Sequence, residues 1–188
     1  LGVRPQLALL NEQVFSAGLV PLYVDAGYDA IIMEWENPSR EQPDWHPEWR
    51  YLPQRARGTG DSEIKLLWNQ STGFQKFQRY VHGEMEIQEL IAYIKAQQKD
   101  SLRALSVYGN DVEVFDFRPG RYKTEESIKP DREWRRIDDF YVALKRELGI
   151  RFIKPSEALD LKDQPGANQI LSLSSAKRPI PVKKQAKY

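Results

Sequence analysis

The sequence predicts an α/β protein whose strands run mostly parallel. Three observations carry that prediction. Apolar runs of strand length, "PQLALLNE", "AIIMEWE", "EIKLLWNQ" and "ALSVYGNDVEVF", alternate with stretches whose apolar residues recur at helical spacing. Most connections between them are short, which favours an α/β barrel or a doubly wound sheet. Several of the apolar runs end in polar residues, as buried strands do when they deliver side chains to a loop face.

Taken in order, "PQLALLNE" is a buried strand that presents Asn11 and Glu12 at its C-terminal end. In "QVFSAGLVPLYVDAGYD" the apolar residues Val14, Phe15, Leu19, Leu22 and Tyr23 predict a helix, with Gly27 as its stop. The strand "AIIMEWE" follows. Pro38 to Gly60 mixes Pro, Trp and Arg without a clear period and reads as a long, functional loop. "EIKLLWNQ" restores a strand, and residues 73–100 read as helix with an interruption at Gly83. A strand over 104–115, a helix over 131–148, a short strand "IRFIKP" and a helical turn at "SEALD" complete the pattern. From about Gln164 the chain becomes Pro- and Lys-rich and reads as an irregular extension, with Lys183, Lys184 and Lys187 as solvated charges. The expected division is 1–163 and 164–188.

Composition narrows the function. Lys and Arg number 28 and Asp and Glu 27, giving a net charge of +1, so neither nucleic acid nor an anionic membrane surface is an expected partner. There is no cysteine, which excludes disulfides and thiolate metal sites and fits a reducing, cytoplasmic setting. No apolar run approaches the roughly 20 residues of a membrane helix. His46 and His82 are the only histidines, and "HGE" lacks the second histidine of a zinc helix motif, so no metal or other cofactor is expected. "GTG" at Gly58–Gly60 lacks the context of a phosphate loop, and no serine-nucleophile elbow occurs. The chain opens on Leu1 rather than Met, and we expect that its natural N-terminus is missing.

In a parallel α/β architecture, ligands collect at the C-terminal ends of the strands. Four such ends carry polar groups: Asn11 and Glu12; Glu34, Trp35 and Glu36; Trp68, Asn69 and Gln70; and Asn110, Asp111 and Glu113. Carboxylates and amides match sugar hydroxyls, and aromatic faces cover the apolar face of a pyranose, so the set points to an oligo- or polysaccharide. Two carboxylates flanking a glycosidic bond suffice for its hydrolysis. Each Trp fits a core role as well as a stacking one. Asp116 lies on the opposite strand parity from Asp111 and Glu113, close to Arg118 and Arg121, which makes it an ion-pair partner.

Two motifs carry a resemblance to a known family. In "LLNEQVFSAGLVPLYVDAGYDAIIMEW", Glu12, Val14, Phe15, Ala26, Gly27 and "AIIM" match in spacing a catalytic Glu that is followed by a helix ending in Ala-Gly and then an apolar strand. In "DVEVF" followed by "RPGRY" the order and spacing match an Asp-x-Glu-x-Phe motif. Together they resemble glycoside hydrolase family 57, the retaining amylases and 4-α-glucanotransferases. The resemblance implies an incomplete (β/α)7 barrel whose early strands are missing, making the chain an internal piece of a longer protein. It implies Glu12 as nucleophile and Asp111 as general acid/base. Asn11, Glu34, Trp35, Trp68, Asn69, Glu113 and Arg118 are the candidate substrate contacts. Asp116 and Arg118 depart from the Gly and the aromatic residue common at these positions, which leaves open a catalytically weak carbohydrate-binding or regulatory homologue.

Overall fold

The structure, a computed structural model, describes residues 2, 4–10, 15–109, 115 and 133–173. These form two compact units. The first takes the chain through Ser71, Ser101–Ser106 and the chain from Ile153; the second takes Thr72–Asp100 and Val107–Phe152.

The first unit is built on an open sheet of five described strands in the order β1-β2-β4-β3-β5. They are β1 (Leu7–Leu9), β2 (Ala30–Glu34), β3 (Gln54–Arg57), β4 (Glu63–Asn69) and β5 (Ile170–Leu171). β1, β2 and β4 run parallel, with Leu9 opposite Ile32 and Glu34 opposite Asn69. β3 is antiparallel to β4, and β5 is parallel to β3. The α/β class with a mostly parallel sheet is therefore as the sequence predicts, while the described sheet does not close.

β2 is buried on both faces, as is β4 from Leu66 onward, which is why their sequences read as continuous runs. Ile31, Met33, Leu66 and Trp68 are buried in one core with Val20, Ile64, Ala56 and Leu171. Each fully buried aliphatic side chain contributes roughly 1.5–3 kcal/mol through removal of apolar surface from water. The helix expected after β1 is a single 3-10 turn, Ala17–Leu19, followed by α1 (Val20–Asp25), which packs on β4. Gly27 stops it at φ +82, a left-handed conformation that costs glycine little.

Pro38 to Gly60 is more ordered than its aperiodic sequence predicts. It holds most of α2 (Glu36–Arg40), a 3-10 helix at Pro47–Tyr51 and all of β3. β3 escapes a hydrophobic-pattern reading because only Ala56 of "QRAR" is apolar. "GTG" is the hairpin turn into β4: Gly60 and Asp61 both have positive φ, +62 and +60, and Ser62 N donates to Thr59 O at 3.2 Å. That is the geometry of a type I′ turn. The expected strand "IRFIKP" pairs with nothing among the described residues; it leads into a 3-10 helix, Pro155–Asp163. Conversely β5 gives strand structure to a segment read as irregular, because β3 offers it a free edge. Of the strand expected over 104–115, Ala104–Gly109 is in no strand, and residues 110–114 lie outside the described residues.

The second unit is helical where described. α3 (Ser71–Val81) continues from β4 through Gln70, and α4 (Ile87–Lys95) follows the break predicted at Gly83, whose φ is +83. α5 (Glu133–Leu148) packs on α4. Phe77 centres the unit, its ring 5.2 Å from Phe140, 5.4 Å from Tyr108 and 5.8 Å from Phe115. His82 is held by Glu133, with Nδ1 2.7 Å from Oε1 of a carboxyl that is 1% exposed. His82 thus lies in the turn just after α3, rather than in the helix itself as expected, and has a packing role with a specific partner. No helix among the described residues is long and apolar enough to cross a membrane.

Candidate functional site

Two of the four strand ends that the sequence marks as chemical, those of β2 and β4, meet at one end of the sheet in the first unit. Parallel pairing sets Glu34 beside Asn69, and Trp35 N donates to Asn69 O at 2.9 Å. β1 emerges at the same end, where Leu10 N donates to Ile32 O at 2.8 Å. Among the described residues, this end gathers Glu34, Glu36, Asn69, Gln70, Ser71 and Ser106.

Glu34 is 2% exposed, and both of its oxygens are engaged. Oε1 accepts from Glu36 N at 2.6 Å and Oε2 from Asn37 N at 2.8 Å, so the carboxyl caps the start of α2. Ser71 Oγ lies 2.8 Å from Glu34 Oε1 and 3.0 Å from Glu36 Oε2, and Ser71 N donates to Glu36 Oε2 at 3.0 Å. Burial, followed by the adjoining Glu36 carboxyl and its charge, pushes Glu34 from the usual 4.5 up to about 8. The Asn37 amide and the Ser71 hydroxyl act in the opposite direction. Glu34 is thus a neutral acid at pH 7, bonded into the turn.

Asn69 Oδ1 accepts from Gln70 N at 3.0 Å and from Ser106 Oγ at 3.0 Å, tying the end of β4 to the segment that leads towards Asp111. Trp35 and Trp68 are each 5% exposed and lie in the core. Their rings meet edge to face at 5.0 Å, and Trp45 joins them at 5.6 and 5.8 Å. The core role, open from the sequence, describes these two rings, and the partly buried Trp45 lies on their outer side. Trp68 Nε1 and Gln70 Nε2 are buried without a hydrogen-bond partner among the described residues.

Asn11, Glu12, Asp111, Glu113 and Arg118 lie outside the described residues. Sequence reasoning placed Glu36 at a strand end but missed its pairing with Glu34 and the serine that links them. The signal available was "EWE", two carboxylates one residue apart on a strand that is about to end. Among the described residues no group of three or more His, Asp or Glu side chains is placed to hold a metal.

No protein-family model matches the chain, and no curated protein matches it. Among solved structures the chain is similar to a 4-α-glucanotransferase from Thermococcus litoralis, with a TM-score of 0.65 and 20% identity. The match covers 94% of this chain and 25% of that one, so the chain spans a quarter of its neighbour's length. At that identity the likeness is one of fold, and the chain shares the α/β fold of part of a glucanotransferase.

Proposed function

We propose that the chain is the catalytic part of a retaining glycoside hydrolase or glucanotransferase acting on an α-glucan type of polysaccharide. The observation that carries this reading is the fold shared with a glucanotransferase over 94% of the chain. Two sequence motifs resembling one family of such enzymes support it from an independent direction. In this reading the open sheet is a section of a (β/α)7 barrel.

Glu12 is the proposed nucleophile and Asp111 the proposed acid/base. The course of β1 favours the first assignment, because β1 delivers the chain at Leu10 to the end of the sheet that carries Glu34 and Asn69. The second assignment rests on the match of "DVEVF" and "RPGRY" to the Asp-x-Glu-x-Phe motif. Glu12 attacks the anomeric carbon while Asp111 protonates the departing oxygen, which leaves a glycosyl ester on Glu12. Asp111 then deprotonates water or an acceptor sugar, which displaces Glu12 and restores the original anomeric configuration. Glu113 raises the proton affinity of Asp111 through its charge. Asn11, Asn69 and Arg118 are the proposed hydroxyl contacts, and Glu34, with both oxygens on turn amides, holds the turn into α2.

The test is Glu12→Gln and Asp111→Asn in the intact protein, assayed on α-glucans. We expect kcat to fall by about 10²–10⁴-fold in each. Unchanged activity in both variants overturns the assignment.

A further inference from the structure

The first unit contains a cavity of about 450 Å³ that the proposed chemistry does not use. Its position follows from strand direction. β3 runs antiparallel to β4, so the chain entering β3, with the 3-10 helix Pro47–Tyr51, lies at the end of the sheet where β4 finishes. β5 runs parallel to β3, which brings Gln164–Gly166 to that end as well. Ser101–Arg103 forms the third wall, and the same short segment continues to Ser106 at Asn69. The cavity and the candidate site therefore share one end of the sheet.

The walls are held by buried polar bonds. Gln54, 1% exposed, donates through Nε2 to Trp49 O at 3.2 Å and to Gly166 O at 3.0 Å, and its Oε1 accepts from Gln169 N at 2.8 Å. Ala104 N donates to Tyr51 O at 3.0 Å. Arg103 Nη2 pairs with Glu48 Oε2 at 2.5 Å and donates to Ser101 Oγ at 3.0 Å. The guanidiniums of Arg50 and Arg103 each lie 4.8 Å from the centre of the Tyr51 ring. That ring is occupied, which leaves the half-buried Trp49, with the imidazole of His46, as the aromatic surface of the cavity.

We propose that this cavity is a second sugar-binding position, taking one unit of an α-glucan chain whose remainder runs towards the strand ends at Glu34 and Asn69. The proposal rests on the glucan reading above. Its ligand class follows from the walls: Trp49 and Leu102 offer apolar surface to the C–H face of a pyranose, while Glu48, Ser101 and Arg103 offer acceptors and donors to its hydroxyls. A simple anion is a poorer fit, because Glu48 neutralises Arg103. A wholly apolar ligand is poorer too, since it would strip water from that ion pair and offer no polar group in its place.

The experiment titrates maltotriose and maltopentaose into the intact protein and into Trp49→Ala and Leu102→Ser, by calorimetry, with inorganic phosphate as the anionic probe. Leu102 is 64% exposed, so its variant retains the fold even where loss of Trp49 loosens the packing. We expect the wild type to bind the sugars and not phosphate, with affinity reduced at least about tenfold in Trp49→Ala and severalfold in Leu102→Ser. Sugar binding that is equal in all three proteins overturns the cavity assignment and leaves the glucan reading standing. Phosphate bound in preference to sugar, or turnover of α-glucan with binding unaffected by either variant, does the same. Neither sugar binding nor turnover in the wild type overturns both.

Discussion

Glu34 couples the candidate site to folding. In the folded chain it keeps its proton up to about 8, against 4.5 ordinarily. Between those values the native state holds a proton that the unfolded chain has released. This group's contribution to stability is therefore complete below about pH 4.5, falls as pH rises through the window to about 8, and is level above it. Glu34→Gln cannot titrate. We expect it to cost about 1–3 kcal/mol at pH 5, where a turn amide loses an acceptor, and the gap to wild type to narrow by pH 9. Urea denaturation at pH 5, 7 and 9 checks this; a gap that is constant across the series is the contrary result. Only part of this was legible in the sequence. "EWE" marked two carboxylates at a strand end, but Ser71 lies 37 residues from Glu34, and nothing local announces such a meeting. The indoles of Trp35 and Trp68 show the same limit, because a residue type that serves equally as core and as sugar platform is assigned only by its burial.

At the scale of elements, the hairpin β3–β4 sets the geometry of the cavity, since it turns the chain back and places the start of β3 beside the end of β4. Its turn depends on Gly60 and Asp61 at positive φ. A β-branched residue at position 60 clashes with its own backbone there, so Gly60→Val should cost about 1–2 kcal/mol, whereas Asp61→Gly should be neutral or slightly stabilising. Urea midpoints with unchanged m-values test both, and a Gly60→Val midpoint equal to wild type would contradict the turn assignment. The helices α3, α4 and α5 and the central strands β2 and β4 were legible because their apolar residues follow one period over many positions. β3 and β5 were not, since four and two residues carry too little pattern and their strand state comes from the partner edge. "IRFIKP" is the converse case: its alternation is adequate, yet no described strand receives it.

For the molecule as a whole, the proposed chemistry requires that two carboxyls far apart in sequence, Glu12 and Asp111, stand about 5–5.5 Å apart, the separation of a retaining pair. An α-linked substrate should accordingly release its α-anomer first, followed by mutarotation, which time-resolved proton NMR of the products detects. The β-anomer as first product would mean inversion and would remove Glu12 from the nucleophile role. The fold shared with part of a glucanotransferase gives this requirement its frame, because a parallel sheet sends every strand's C-terminal end to one side.

By itself the sequence determined the class of the protein: alternating strand and helix, near-neutral charge, no cysteine, and polar groups at the ends of apolar runs. Those properties are local or compositional, and a chain carries them before it folds. Tertiary structure alone decided that β3 runs against β4, that Glu34 shares Ser71 with Glu36, that Trp35 and Trp68 turn inward, and that Gln54 holds the walls of a cavity. Each of these depends on which distant segments pair and on which side chains lose water as they do so, and no window of sequence contains both partners.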